Sequence, residues 1–249
     1  MNSIQVVGIG PGAMEDMTEK ARRAIVNAQT VVGYDTYIQL IASILRPNEQ
    51  TILQSGMMQE VQRCTLALQE AEQGREVAMI CSGDAGIYGM AGLLFEMAED
   101  RGEDVNIEVV AGITAACSGA AVLGAPLSND FCVISLSDLL TPQAIIDRRL
   151  QACGMGDFCC VIYNPMSKKR PDKLKNACDQ LLQHRSPNTV CGWVRNIGRE
   201  GERAQICTLE TLREAELDMF TTVFIGNSQT KAVHGKMVTQ RGYQQKYTW

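Results

Sequence analysis

The 249-residue chain has no uninterrupted apolar run of about 18 residues, the length a bilayer-crossing helix needs, so no membrane span is expected. It has no excess of positive charge either. Lys and Arg number 23 against 28 Asp and Glu, a net charge of −5. Nucleic-acid binders are usually basic, so no such partner is expected. Histidine is scarce: His184 and His234 are the only two, a poor supply for a His-based metal site or a catalytic triad. The chain lacks Cys-x-x-Cys and any Cys/His pairing at zinc spacing, although it carries ten cysteines. Most of them lie inside apolar runs such as Phe158-Cys159-Cys160-Val161-Ile162, where a reduced thiol behaves as a small buried hydrophobe. A reducing cytoplasm and no protein-bound metal are expected. There is no internal repeat or low-complexity segment. No basic n-region with a long apolar h-region opens the chain, so no signal peptide is expected.

What the chain does contain is alternation. Short apolar runs at Ile4–Val7, Thr30–Val32, Thr51–Leu53, 76–81 and Asn106–Val110 read as strands. Between them, Glu19–Ala28, Tyr37–Leu45, Gln59–Gln73 and a segment from Met90 read as helices, with Thr18 as an N-cap and Gly74 at a C-terminus. A further helix is expected from Thr114 to Leu123. Five strands separated by helices indicate a mostly parallel sheet. Residues 1–123 are therefore read as one α/β domain, and 124–130 as a linker. Residues 131–249 are read as a second, mixed α/β domain. In it Thr141 is the N-cap and Pro142 the first residue of a helix. The segments Thr189–Arg195 and Arg203–Thr208 form an antiparallel hairpin.

Ligand-type loops follow the strands at 8–12, 82–89, 112–116 and 163–167. Open α/β sheets bind ligands outside the carboxyl ends of their strands. One cleft built from both domains is expected, since pockets favour domain interfaces. The first loop matches G-x-G-x-x-A, with Asp35 further on, and so raises an NAD(P)- or flavin-dependent oxidoreductase as a rival. Two features weigh against that rival. Pro11 removes a backbone N–H where a pyrophosphate would want one. The helix starts near Thr18 and not at the glycines, which displaces its positive end.

Gly8-Ile9-Gly10-Pro11-Gly12, Ser82-Gly83-Asp84 and Gly112-Ile113-Thr114-Ala115-Ala116 together resemble the tetrapyrrole (corrin/porphyrin) methyltransferases, which use S-adenosylmethionine. Narrower strings are similar to the branch that methylates C-17 of precorrin-3B or cobalt-precorrin-3 in vitamin B12 biosynthesis. These strings are Val32-Gly33-Tyr34, Gly83–Gly89, Ile134–Pro142, Tyr163-Asn164-Pro165, Val223–Asn227 and Thr239–Tyr243. The resemblance runs along essentially the whole chain. It implies a homodimer of two-domain α/β subunits, with a mostly parallel five-stranded N-terminal sheet and a mixed C-terminal sheet with flanking helices. It implies a cofactor site lined by Pro11, Ser82, Gly83, Asp84, Ile87, Thr114 and Ala115, with Asn164 from the second domain. Relatives often have glycine where this chain has Cys207. The implied reaction methylates a tetrapyrrole at C-17 with ring contraction, leaving S-adenosylhomocysteine, and any cobalt would belong to the substrate.

Methyl transfer from a sulfonium needs little acid–base chemistry, whereas ring contraction needs proton movements. Asp84, Tyr88 and Asp138 are candidates for these by residue type. A macrocycle carrying many carboxylates needs cations, and Lys168, Arg170, Arg195 and Arg199 are the candidates, because carboxylates favour arginine forks. Each has a plainer reading. Asp84 can cap a helix, the basic residues can form a solvated face, and the glycines can simply make turns. A tetrapyrrole carrier without activity is the non-enzymatic alternative.

Overall fold

The computed structural model describes residues 3–248. The chain divides into two compact units, one ending at Ala115 and the other beginning at Ala116.

In the first unit, β1 (Ser3–Gly8), β2 (Thr30–Tyr34), β3 (Thr51–Ser55), β4 (Glu76–Cys81) and β5 (Asn106–Val110) form one sheet in the order β3-β2-β4-β1-β5. Every pair is parallel. The helices α1 (Glu19–Asn27), α2 (Asp35–Leu40), α3 (Glu60–Glu72) and α4 (Ala91–Arg101) cover both faces. Strand alternation divides the core accordingly. Ile4, Val6, Val32, Val77 and Met79 pack with α3 and α4, while Val7, Val31, Ala78 and Ile80 pack with α1 and α2. Burial on both faces is why the central strands β2 and β4 read as apolar runs. Thr18 caps α1 as expected, its hydroxyl accepting the N–H of Ala21. The helix expected over Tyr37–Leu45 is instead α2 followed by a separate 3-10 turn, Ala42–Ile44. The break falls at Ile41, whose N–H turns back to the Ile38 carbonyl.

In the second unit, α5 (Ala115–Leu123) leads to the two-residue β6 (Gly124–Ala125). There follow β7 (Phe131–Ser135), α6 (Gln143–Met155), β8 (Cys159–Tyr163), α7 (Lys173–Leu181), β9 (Val190–Arg195), β10 (Arg203–Thr208), α8 (Leu209–Arg213), β11 (Thr221–Ile225), β12 (Thr230–Val233) and β13 (Lys236–Thr239). The main sheet, β10-β9-β11-β8-β7, is mixed. Strands β7 and β8 are parallel and the other pairs antiparallel, so the predicted hairpin is present. One face packs on α6, α7 and α8. On the other face Gly119 of α5 lies against Phe224, and Leu123 against Gly192, where a Cβ on either glycine would come within 2.9 Å of its neighbour.

Two sequence expectations are corrected here. Residues 124–130 are not simply a linker, because Gly124–Ala125 pairs with β13 in a third sheet, β12-β13-β6. A two-residue strand is too short to show a period. Pro142 is the N-cap of α6, not its first residue, because its ψ of 139° lies outside the helix.

Candidate active site

Strands β4, β1 and β5 are neighbours and run the same way. Their carboxyl ends therefore bring the loops after Gly8, Cys81 and Val110 side by side. Gly10 and Gly83 exchange backbone hydrogen bonds, Gly10 N–H to Gly83 O at 3.1 Å and Gly83 N–H to Gly10 O at 2.7 Å. Gly83 has φ +66°, a left-handed backbone that favours glycine. The loops touch closely enough that a Cβ on Gly112 would lie 2.1 Å from the Gly83 carbonyl oxygen. At Gly8 and Gly112 the absence of a side chain is thus required by contact between the loops themselves.

Asp84 organises this edge. Its Oδ1 accepts the N–H groups of Gly86 at 2.8 Å and Ile87 at 3.1 Å, and its Oδ2 accepts that of Gly112 at 3.1 Å. The carboxylate caps its own loop and clamps the loop after β5, and it does not cap α4. Of the other predicted first-unit residues, Pro11 and Thr114 are buried, and Ser82, Gly83 and Ala115 are half-buried. Ile87 is exposed, as are its neighbours Tyr88, at φ +53°, and Ile113. The stretches 8–12, 82–89 and 111–115 contain no Lys or Arg.

Sequence reading missed Arg63. It is buried, yet its Nε and Nη2 donate to Ser55 Oγ and the Gly56 carbonyl, both at 2.9 Å, and its Nη1 meets Met90 Sδ at 3.2 Å. Its guanidinium carbon lies 5.8 Å from the ring centre of Tyr34. It joins the ends of β2 and β3 to the start of α4. An arginine near the start of an ordinary amphipathic helix gives no sequence signal of this.

In the second unit, Asn164 is exposed at φ +53° and donates to Ser135 Oγ at 3.0 Å. The hydroxyl oxygen of Tyr163 accepts the N–H of Ala116 in the first turn of α5, at 2.8 Å. Asp138 pairs with Lys173 at 2.6 Å and Arg170 at 2.9 Å. Hydrogen bonding from Lys173 holds its carboxyl below the usual range against some desolvation, with the Arg170 charge adding to the effect. Asp138 is therefore a carboxylate at neutral pH and not a proton donor. Arg195 pairs with Asp218 at 2.7 Å, Arg199 lies in the β9–β10 turn and Lys168 is exposed. Arg170 and Arg195 are thus already engaged with carboxylates. Grooves of about 450 Å³, lined in part by Cys207 and Thr208, and about 580 Å³, lined by Ser128 and residues 238–244, open on this unit. Neither contains a predicted cofactor residue.

The description Tetrapyrrole (Corrin/Porphyrin) Methylases matches residues 3–213. The chain is 43% identical to "Cobalt-factor III methyltransferase" of Priestia megaterium over 98% of its length, spanning 45% of that relative. It is 42% identical to "Probable cobalt-factor III C(17)-methyltransferase" of Salmonella typhimurium, covering 96% of this chain and 99% of the relative. It is 36% identical to "Precorrin-3B C(17)-methyltransferase" of Sinorhizobium sp, over 93% of this chain and 91% of the relative. Among solved structures, the methyltransferase CobJ superposes with TM-score 0.87 and 34% identity, covering 95% of this chain and 99% of the other. Uroporphyrin-III C-methyl transferase from Thermus thermophilus, in complex with S-adenosyl homocysteine, superposes with TM-score 0.71 at 22% identity, covering 90% of this chain and 97% of the other. That last likeness bears on the fold alone.

Proposed function

The chain belongs to the tetrapyrrole (corrin/porphyrin) methylases, and from that premise we propose that it methylates C-17 of a cobalt-containing precorrin-3-level macrocycle, with ring contraction, in cobalamin biosynthesis. It is an S-adenosylmethionine-dependent methyltransferase. The observation that carries the choice of substrate is the end-to-end match to a relative named for C-17 of cobalt-factor III. The cobalt form is favoured because the relatives named for it are 39–43% identical, against 36% for the one named for precorrin-3B.

The first-unit loops fit the cofactor. They offer backbone polar groups, the apolar Ile87 and Ile113, and no cation. A pyrophosphate would want positive charge or a helix N-terminus, and α1 begins only at Glu19. A sulfonium wants neither. The dinucleotide rival is therefore disfavoured on charge as well as on Pro11. The proposed cofactor residues are Pro11, Ser82, Gly83, Asp84, Ile87, Thr114, Ala115 and Asn164.

S-adenosylmethionine, when bound, supplies an electrophilic methyl whose leaving sulfur becomes neutral. The protein's share is orientation. A fixed loop edge that holds donor and ring carbon in line can lower the barrier by roughly 7–11 kcal/mol. Asp84 keeps that edge in shape. Lys168, Arg170, Arg195 and Arg199 are proposed to meet substrate carboxylates. A homodimer working in the cytoplasm is proposed with this reading. No helix of the described residues is long and apolar enough to cross a membrane.

Calorimetry and a labelled-methyl assay test the proposal. S-adenosylhomocysteine should bind and NADP should not. Cobalt-factor III should gain one labelled methyl, located at C-17 by NMR. Binding of NADP without S-adenosylhomocysteine, or a methyl at another carbon, overturns it. Sedimentation velocity tests the dimer.

A further inference from the structure

Cys132 on β7 and Cys160 on β8 are register partners on adjacent parallel strands. Cys153, in the last turn of α6, packs on the same face. The three Sγ atoms lie within 4.8 Å of one another. Cys153 and Cys160 are buried, and Cys132 is half-buried, which leaves the group one partly open side. Sequence spacing hides this convergence, since the three residues come from two strands and a helix.

Arg185 completes the surroundings. It is buried, 8% exposed. Its Nη1 donates to the Gly226 carbonyl at 2.7 Å, and its Nη2 to the Cys153 carbonyl at 3.2 Å, to Cys153 Sγ at 3.4 Å and to the Phe158 carbonyl. Its Nε has no acceptor. Among the described residues no carboxylate pairs with it. A guanidinium stays charged in proteins, and a buried unpaired charge is costly. The Cys153 sulfur, 3.4 Å away, is a group beside it that takes negative charge when it ligates a cation.

We propose that Cys132, Cys153 and Cys160 form a trigonal binding site for a soft monovalent cation, Cu(I), with Arg185 offsetting one of the two negative charges that the three thiolates leave in excess over the ion. Metal–thiolate bonds of about 2.3 Å place three sulfurs about 4 Å apart in a trigonal plane, so the sites need draw in by less than about 1 Å. Zinc is disfavoured, because a structural zinc takes four ligands and no fourth His, Cys, Asp or Glu joins the group among the described residues. Soft thiolate sets select Cu(I). Binding releases the thiol protons and changes no oxidation state. The inference does not depend on the methyltransferase reading.

The test is an anaerobic titration of the reduced full-length protein with Cu(I) against a coloured Cu(I) chelator. One equivalent per chain should be withheld, and X-ray absorption should show three sulfurs at about 2.3 Å. Cys132→Ala and Cys153→Ala should each weaken copper binding by about 100-fold or more, beyond the loss expected for an outer-sphere partner. Cys117→Ala, at an exposed thiol outside the group, should leave it unchanged. Alkylation mapping of the wild-type protein needs no variant. Copper should protect Cys132, Cys153 and Cys160 selectively from iodoacetamide under partial denaturant. No copper withheld, copper bound with fewer than three sulfurs, or protection spread over other cysteines overturns the proposal.

Discussion

The carboxylate of Asp84 accepts the backbone N–H of Gly112 at 3.1 Å while its other oxygen holds Gly86 and Ile87. One side chain therefore fixes two of the three loops at the carboxyl edge of the first sheet. Hydrogen bonds to a charged group contribute about 1.5–3 kcal/mol each. Asp84→Ala should lower S-adenosylhomocysteine affinity about 10- to 100-fold by loosening both loops. Asp84→Asn should behave nearly as badly, because its amide puts donors where one set of N–H groups already points. Calorimetry on the three proteins checks this, and wild-type affinity in the alanine variant would detach Asp84 from the cofactor loops.

Tyr163 acts through its oxygen. That oxygen accepts the N–H of Ala116, one of the first-turn donors of α5 that has no partner within the helix. Tyr163→Phe keeps the ring and removes the acceptor. Loss of such a cap costs about 1 kcal/mol, or about 2–4 °C in thermal midpoint for a chain of this size. Differential scanning calorimetry reads it directly. An unchanged midpoint would mean that water replaces the hydroxyl without penalty.

Much of the fold was legible because the central strands β2, β4, β8 and β11 are buried on both faces and α1 carries a cap in Thr18. What was not legible had no local signal. The two-residue β6 has no period, and the partners of Asp84 lie 2 to 28 residues away, at Gly86, Ile87 and Gly112. The strings Val223–Asn227 and Thr239–Tyr243 carry part of the family resemblance, and part of their content is structural. Asn227 N–H donates to Thr230 Oγ1 at 2.9 Å, and Thr230 and Thr239 share a hydrogen bond of 2.8 Å, all of it buried. The loop glycines at Gly8 and Gly112 read as ligand-facing, but backbone contact between loops is sufficient to require them.

Two helical glycines should respond with opposite signs. A Cβ on Gly119 would lie 2.8 Å from the fully buried Phe224 ring and 3.0 Å from Ile197, whereas a Cβ on Gly92 of α4 would meet nothing within 4 Å. Alanine gains up to about 1 kcal/mol over glycine in helix propensity. Overpacking a core costs about 1–3 kcal/mol, so at Gly119 the clash wins. Gly119→Ala should lose about 1 kcal/mol or more net, and Gly92→Ala should gain a few tenths to about 1. Urea unfolding of both variants checks the pair. A stabilised Gly119→Ala would show that the sheet yields to α5 without strain.

Glu70 makes the stability of the first unit depend on pH. Arg75 donates to both of its oxygens at 2.6 Å, and the hydroxyl of the buried Thr30 donates at 2.8 Å. The Arg75 hydrogen bonds hold the carboxyl below its usual range, against some desolvation, with Thr30 assisting. A folded pKa below the unfolded value of about 4.3 gives stability that is fully present above that value. This stability is lost as pH falls through the folded pKa. Glu70→Gln removes the titrating charge and keeps one acceptor for Thr30. Its urea midpoint should fall below that of the parent at about pH 7, and the gap should narrow as pH falls below about 4 and through the folded pKa, where the parent's carboxylate protonates. A gap that stays constant across this range would assign the loss to the packing of the substituted amide and not to the charge on Glu70.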